Sequence, residues 1–169
     1  MAQQNIFDNA TFFEGYKKLR ENTVNANNLF EIPALLSMMP DLKGKRVLDL
    51  GCGFGEHCKL FVGNGAEKVM GIDISSKMLE VAKQENSDPK IVYRNMPIEE
   101  IAQLNETFDV VVSSLALHYV EDFNGVVRNV YSLLDSDGTF IFSQEHPLVT
   151  CHSGGGTDGR ETKTVKRST

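Results

Sequence analysis

Three glycines, Gly51, Gly53 and Gly55, follow directly on the apolar run Val47-Leu48-Asp49-Leu50 and precede a helical stretch. Glycines at alternate positions remove side chains where a backbone turns sharply and where a ligand must approach the main chain. A dinucleotide-binding turn has that character, but its G-x-G-x-x-G spacing puts a third glycine at position 56, where this chain has Glu56. A glutamate there repels a pyrophosphate at the helix N-terminus. Asp73, in Gly71-Ile72-Asp73-Ile74-Ser75, ends a second apolar run eighteen positions after Gly55. An ionised carboxylate in that place either caps the helix that begins at Ser76 or accepts from two ligand hydroxyls, at about 1.5–3 kcal/mol per charged bond. His118, after a fourth apolar run, has an unperturbed pKa near ~6.5 and is suited either to acid–base work or to a structural hydrogen bond at a helix start. His146, in Glu145-His146-Pro147, is a weaker second histidine.

The elements that must position these residues alternate short apolar runs with longer amphipathic stretches, the pattern of a parallel sheet covered by helices. Strands are expected at Arg46 to Leu50, Lys68 to Ile72, Ile91 to Arg94, Asp109 to Ser113 and Thr139 to Ser143. Phe123, Val126, Val127, Val130, Leu133 and Leu134 recur at helical spacing on one face, and Gly138 is read as the turn before the fifth strand. Ahead of the sheet two helices are expected, around Phe12 to Arg20 and around Ala26 to Met38, with Pro40 as the stop. They form either a lid or a simple packing of Phe12, Phe13, Tyr16 and Leu19 onto the sheet's rim. The organisation is an N-terminal helical lid over 1–42, a Rossmann-like domain over 43–148 and a flexible polar tail over 149–169.

The stretch from Val47 to Gly55 resembles the first motif of the class I S-adenosylmethionine-dependent methyltransferases, whose D-x-G-x-G loop matches Asp49, Gly51, Gly53 and Gly55. The resemblance runs over about residues 43–147 and implies S-adenosylmethionine as cofactor. That molecule carries a sulfonium and an ammonium but no phosphate, so an acidic lip of Asp49 and Glu56 suits it. Gly51, Cys52 and Gly53 then lie against the cofactor, with Cys52 offering backbone in place of thiolate. Asp73 takes the ribose, with Ile74 and Met78 as neighbouring contacts. The adenine falls among Asn95, Met96 and Ile98, with Met96 able to lie on the purine face; the family more often has Asp near Asn95. Phe108 to Tyr119 resembles the fourth-strand motif and the loop that faces the transferred methyl, which brings Ser114 to the crevice. The resemblance is nearest to small-molecule methyltransferases with an N-terminal Tyr-x-x-x-Arg helix like Tyr16 to Arg20. There Arg20, four residues from Tyr16 on one helical face, pairs with the methionine carboxylate or remains a solvated charge.

Methyl transfer from sulfonium needs alignment above all, worth ~7 kcal/mol or more, and no metal. A protic acceptor also needs a base, and His118 is the best-placed residue for it. The strand order implied is 3-2-1-4-5, a doubly wound α/β sheet lacking the family's last two strands. The fifth strand is then an exposed edge, open to self-association. The functional expectation is a methyltransferase acting on a small-molecule acceptor, against the alternative of a non-catalytic S-adenosylmethionine-binding fragment.

Composition narrows the partners. The net charge is −6, from 17 basic and 23 acidic residues, which argues against nucleic acid and anionic lipid. No apolar run reaches the ~18 residues of a membrane span, and the first residues lack a signal-peptide profile. Cys52, Cys58 and Cys151 frame neither a disulfide scaffold nor a zinc site, so reduced thiols and a cytoplasmic location are expected.

Overall fold

A computed structural model describes residues 5–21 and 27–146, without the side chains of 19–21. Five strands, β1 (Arg46–Leu50), β2 (Lys68–Asp73), β3 (Ile91–Asn95), β4 (Phe108–Ser114) and β5 (Leu134–Ser143), form one sheet in the order β3-β2-β1-β4-β5. Every pairing is parallel. Parallel strands need both faces covered, and the period of two sends alternate residues to opposite cores. Val47, Val69, Val110 and Val112 face one core, into which α3 (Glu56–Gly63) sends Cys58 and Phe61 and α4 (Ser76–Glu85) sends Leu79. Leu48, Leu50, Met70, Ile72 and Val111 face the other, where α5 (Phe123–Leu133) packs Val126, Val130 and Leu133.

Three sequence expectations are corrected at element boundaries. β5 begins at Leu134, with no turn between it and α5, and Gly138 lies inside the strand. Leu134 pairs with Phe108, and the register slips between Phe108 and Val110 before regular pairing resumes at Thr139, so the irregularity absorbs residues that look like a turn. The second helix, expected around Ala26 to Met38, is not one continuous α-helix over the described residues from Asn27 onward. A π-helical turn over Asn27–Glu31 leads into the short α2 (Ile32–Ser37), and Pro33 sits at the start of α2, where its missing N–H does no harm. The first helix, α1 (Ala10–Glu21), starts earlier than Phe12 because the Asn9 side chain accepts from the amides of Thr11 and Phe12 at 3.1 and 3.2 Å.

β5 is the outer strand of the described sheet, and its exposed Phe142 packs against Phe123 at 5.9 Å between ring centroids. The tail expected over 149–169 lies outside the described residues. Among the described residues no helix is long and apolar enough to cross a membrane.

Candidate active site

The loop between β1 and α3 is fixed by hydrogen bonds its own chain supplies. The amides of Gly51 and Cys52 both donate to the Ile72 carbonyl at 2.9 Å, and the Gly55 amide donates to the Cys52 carbonyl at 2.9 Å. Cys52 therefore gives its backbone to the turn itself. Gly51, Gly53 and Gly55 have φ of +74°, +53° and +78°, a region that favours glycine. Their surroundings differ. A Cβ on Gly51 would stand 2.4 Å from that of Ala116, and one on Gly55 would stand 2.2 Å from the Tyr93 hydroxyl, so these two are close-packing positions. A Cβ on Gly53 would meet nothing within 4 Å. Gly53 is the glycine that faces open space.

Asp73 ends β2 beneath that space. Its Oδ2 accepts the Gly53 amide and its Oδ1 the Ser75 amide, both at 2.8 Å. Its pKa is raised, chiefly by burial, with those two amides opposing and the Asp8 charge adding. The helix cap is Ser75, whose hydroxyl accepts from the Met78 amide at 3.1 Å, so Asp73 is not the cap of α4. Asn95 ends β3 opposite Asp73 and donates to the carbonyls of Asp73 and Ile74 at 3.0 and 2.9 Å. Met96 and Ile98 are half-buried beside it, on the core that holds Leu50 and Ile72.

Asp49 is a correction to the expected acidic lip. It is only 1% exposed, beneath the loop, whereas Glu56 is exposed in the first turn of α3. The Cys58 thiol donates to Asp49 Oδ2 at 3.3 Å, and Oδ1 has no partner. Burial pushes the Asp49 pKa up to about 6, with His57 and the Cys58 thiol opposing and the charges of Asp73 and Glu31 adding. Glu31, which closes the π-helical turn, gave no sign of itself in the sequence. Its Oε1 accepts from the hydroxyls of Ser114, at 2.8 Å, and Ser143, while its Oε2 is buried without a partner. Among the described residues no Lys or Arg forms an ion pair with Asp49, Asp73 or Glu31.

At the carboxyl end of β4, Leu115 has φ of +50°, an unfavourable value for a non-glycine residue of the kind found at functional turns. The turn it makes leads to a 3₁₀ segment, Leu117–Tyr119, that carries His118. Both ring nitrogens of His118 lack a partner, and its ring lies 4.2 Å from that of Tyr119. Burial lowers its pKa and Glu145 opposes the shift, so the imidazole is neutral at pH 7.

The N-terminal segment crosses the crevice. Asp8 accepts from the Ser75 hydroxyl at 2.6 Å and from the Lys77 amide at 3.3 Å, an anion at the N-terminus of α4 that the sequence reading missed. From there Phe7 reaches Tyr16 at 5.5 Å and Tyr119 at 5.9 Å, and Tyr16 lies 5.9 Å from Phe54 of the glycine loop. Met78, 3% exposed, is enclosed with Phe13 and Phe54. Arg20 lies on α1, one turn beyond Tyr16, and its side chain is outside the described residues.

The residues present fit S-adenosylmethionine by two tests: an open cradle at Gly53, and two buried carboxylate oxygens, on Asp49 and Glu31, left for a cation. Comparison with known proteins agrees. The family model described as a methyltransferase domain matches residues 48–142, and the chain belongs to that family. An uncharacterized protein of Haemophilus influenzae is 46% identical over 156 residues, 89% of this chain and 61% of that protein. The ubiquinone biosynthesis O-methyltransferase of Bordetella avium is 34% identical over 123 residues, 71% of this chain and 51% of that enzyme. The crystal structure of an S-adenosylmethionine-dependent methyltransferase from Mesorhizobium loti superposes with a TM-score of 0.67 at 41% identity, covering 74% of this chain and 55% of that one. The protein is thus a class I methyltransferase by family and fold, with S-adenosylmethionine as its cofactor. The chain spans between about half and three-fifths of the length of these relatives.

Proposed function

We propose that the protein methylates a small molecule at a protic atom, with oxygen favoured. The observation that carries this reading is His118, a neutral imidazole with both nitrogens unpartnered, on the loop that follows β4. In open α/β sheets ligands bind outside the carboxyl ends of the strands, which makes that loop the acceptor's approach. The acidic balance of the chain and the name of the Bordetella relative, an O-methyltransferase of ubiquinone biosynthesis, support a small acceptor over a nucleic acid.

In this reading Gly53 gives the cofactor access to the main chain, and the free lone pairs of Asp73 accept the ribose hydroxyls, with Ile74 alongside. Asn95, Met96 and Ile98 border the adenine. Tyr16, Arg20 and Ser114 stand at the methionine end, and the helical segment ahead of the sheet excludes water from it. The bound cofactor supplies a methyl carbon already activated by sulfonium. His118 then takes the acceptor's proton and passes it to solvent, a contribution of ~10²–10⁴-fold.

The test is formation of S-adenosylhomocysteine with a panel of phenols, catechols and carboxylic acids. Turnover that falls at least a hundredfold in His118→Asn, with cofactor affinity kept, supports the proposal. Binding of S-adenosylhomocysteine with no turnover on any acceptor supports the alternative, a cofactor-binding module without catalysis.

A further inference from the structure

Two thiols lie beneath the glycine loop, and the reading above uses neither sulfur. Cys52 is the second residue of the loop, and Cys58 stands in the first turn of α3. Both are free and both belong to the core that holds Val47 and Val69, with Cys52 8% exposed and Cys58 wholly buried. They meet over Gly71 of β2. A Cβ there would stand 2.8 Å from the Cys58 sulfur, 2.9 Å from the Cys52 sulfur and 3.0 Å from the Tyr93 ring. Glycine inside a strand weakens it and marks a close approach of other groups. Gly71 has no left-handed backbone to require it, so what requires glycine there is the space that the two sulfurs and Tyr93 fill.

The surroundings set the chemistry of the pair. A hydrogen bond with Cys52, and then burial, hold the Cys58 thiol well above its ordinary pKa, and burial chiefly raises that of Cys52. Both are protonated at neutral pH, which makes them slow nucleophiles and keeps the pair reduced at rest. The Cys58 thiol donates to Asp49 Oδ2 at 3.3 Å, so a carboxylate stands ready for its proton. Cys52, the more exposed of the two, is the one a small neutral oxidant reaches first.

We infer that Cys52 and Cys58 join in a disulfide on exposure to hydrogen peroxide, and that this bond takes the glycine loop out of its cofactor-binding shape. The second half rests on the proposed placement of the cofactor over that loop. The Cys52 sulfur attacks one peroxide oxygen, the O–O bond breaks, and the thiol proton leaves with the other oxygen as water, giving a sulfenic acid. The Cys58 sulfur then attacks the Cys52 sulfur and the S–O bond breaks. The Cys58 proton passes through Asp49 to the departing hydroxide and forms a second water. Two thiols are oxidised and one peroxide is reduced, and a dithiol reverses the bond by exchange. Drawing Cys52 toward α3 disturbs the bonds that shape the loop, from the Gly51 and Cys52 amides to the Ile72 carbonyl and from the Gly55 amide to the Cys52 carbonyl.

Peptide mapping and titration calorimetry test it in the full chain carrying Cys151→Ser, where Cys52 and Cys58 are the only thiols. After hydrogen peroxide the mass is expected to fall by two hydrogen atoms, with the peptides of Cys52 and Cys58 joined. Affinity for S-adenosylhomocysteine drops by about tenfold or more, and dithiothreitol restores both mass and affinity. Adding Cys58→Ala removes the resolving thiol, so no joined peptide forms and affinity stays within about threefold under the same treatment. The mapping is made on the protein that keeps both thiols, so a Cys58→Ala protein that fails to fold does not prevent the test. Peroxide that leaves both thiols reduced, or oxidises them without joining them, overturns the inference. So does a joined pair with unchanged affinity, or a tenfold loss that persists in Cys58→Ala. A reduced protein that binds no S-adenosylhomocysteine while the pair still joins contradicts the placement of the cofactor instead and leaves the disulfide standing.

Discussion

The Asp73 carboxylate accepts the Gly53 amide at 2.8 Å, tying the end of β2 to the one glycine of the β1–α3 loop that faces open space. A single side chain thus sets the shape of the loop and borders the crevice beside it. Asp73→Asn keeps the size but turns an NH₂ group toward one of the two amides that Asp73 now satisfies. The expected loss is ~1–3 kcal/mol of stability together with weaker cofactor binding. Chemical denaturation and calorimetric titration on the same sample measure both.

The three loop glycines separate by substitution. Gly51→Ala and Gly55→Ala combine a left-handed backbone with overlap onto Ala116 and Tyr93, and each is expected to cost about 2 kcal/mol or more in stability. Gly53→Ala has the left-handed backbone, at ~1–2 kcal/mol, without the overlap. Its larger effect falls on S-adenosylhomocysteine, whose affinity drops because the methyl group stands where the ligand approaches. Melting temperature and dissociation constant, measured for all three, should rank them in opposite orders.

Asp49 gives the protein a pH signature. Its pKa rises to about 6 on folding, chiefly through burial, from near ~3.9 in an unfolded chain, so the folded state takes up a proton between those values. Stability from this group is greatest below about pH 4 and declines as pH climbs through 6. Asp49→Asn removes that decline, seen as the difference between the two proteins in urea melts from pH 4 to pH 8. A bound cation favours the ionised carboxylate, so cofactor affinity in the wild type falls as pH drops through about 6 and the variant loses that dependence.

For His118 the expected pattern is a loss in turnover without a loss in binding. Its pKa lies below the ordinary histidine value because of burial, so the rate of methyl transfer rises with pH to a plateau, with its midpoint below the ordinary histidine value. His118→Asn abolishes that limb of the pH–rate profile and lowers the plateau by ~10²–10⁴. A profile unchanged in the variant assigns the base elsewhere.

The sheet was legible because β1, β2 and β4 are buried on both faces and read as short, largely apolar runs. The start of β5 was not: Leu134 to Gly138 contains Asp135, Ser136 and Asp137, residues that disfavour strands, and they fall in the register irregularity between the Phe108–Leu134 and Val110–Thr139 pairs. The glycine loop and Asp73 declared themselves by spacing at strand ends, a local pattern. Glu31 and Asp8 did not, because their partners lie 83 and 112 residues away for Glu31 and 67 residues away for Asp8. The packing of Met78 was likewise hidden from the sequence, because Phe13 and Phe54 are brought over it by α1 and the loop.

A crystal structure with S-adenosylhomocysteine bound tests the central claim most directly. The account predicts adenosyl density between Gly53 and the Asp73–Asn95 strand ends. Density for that nucleoside on any other face of the protein, or a crevice that stays empty at saturating ligand, contradicts it.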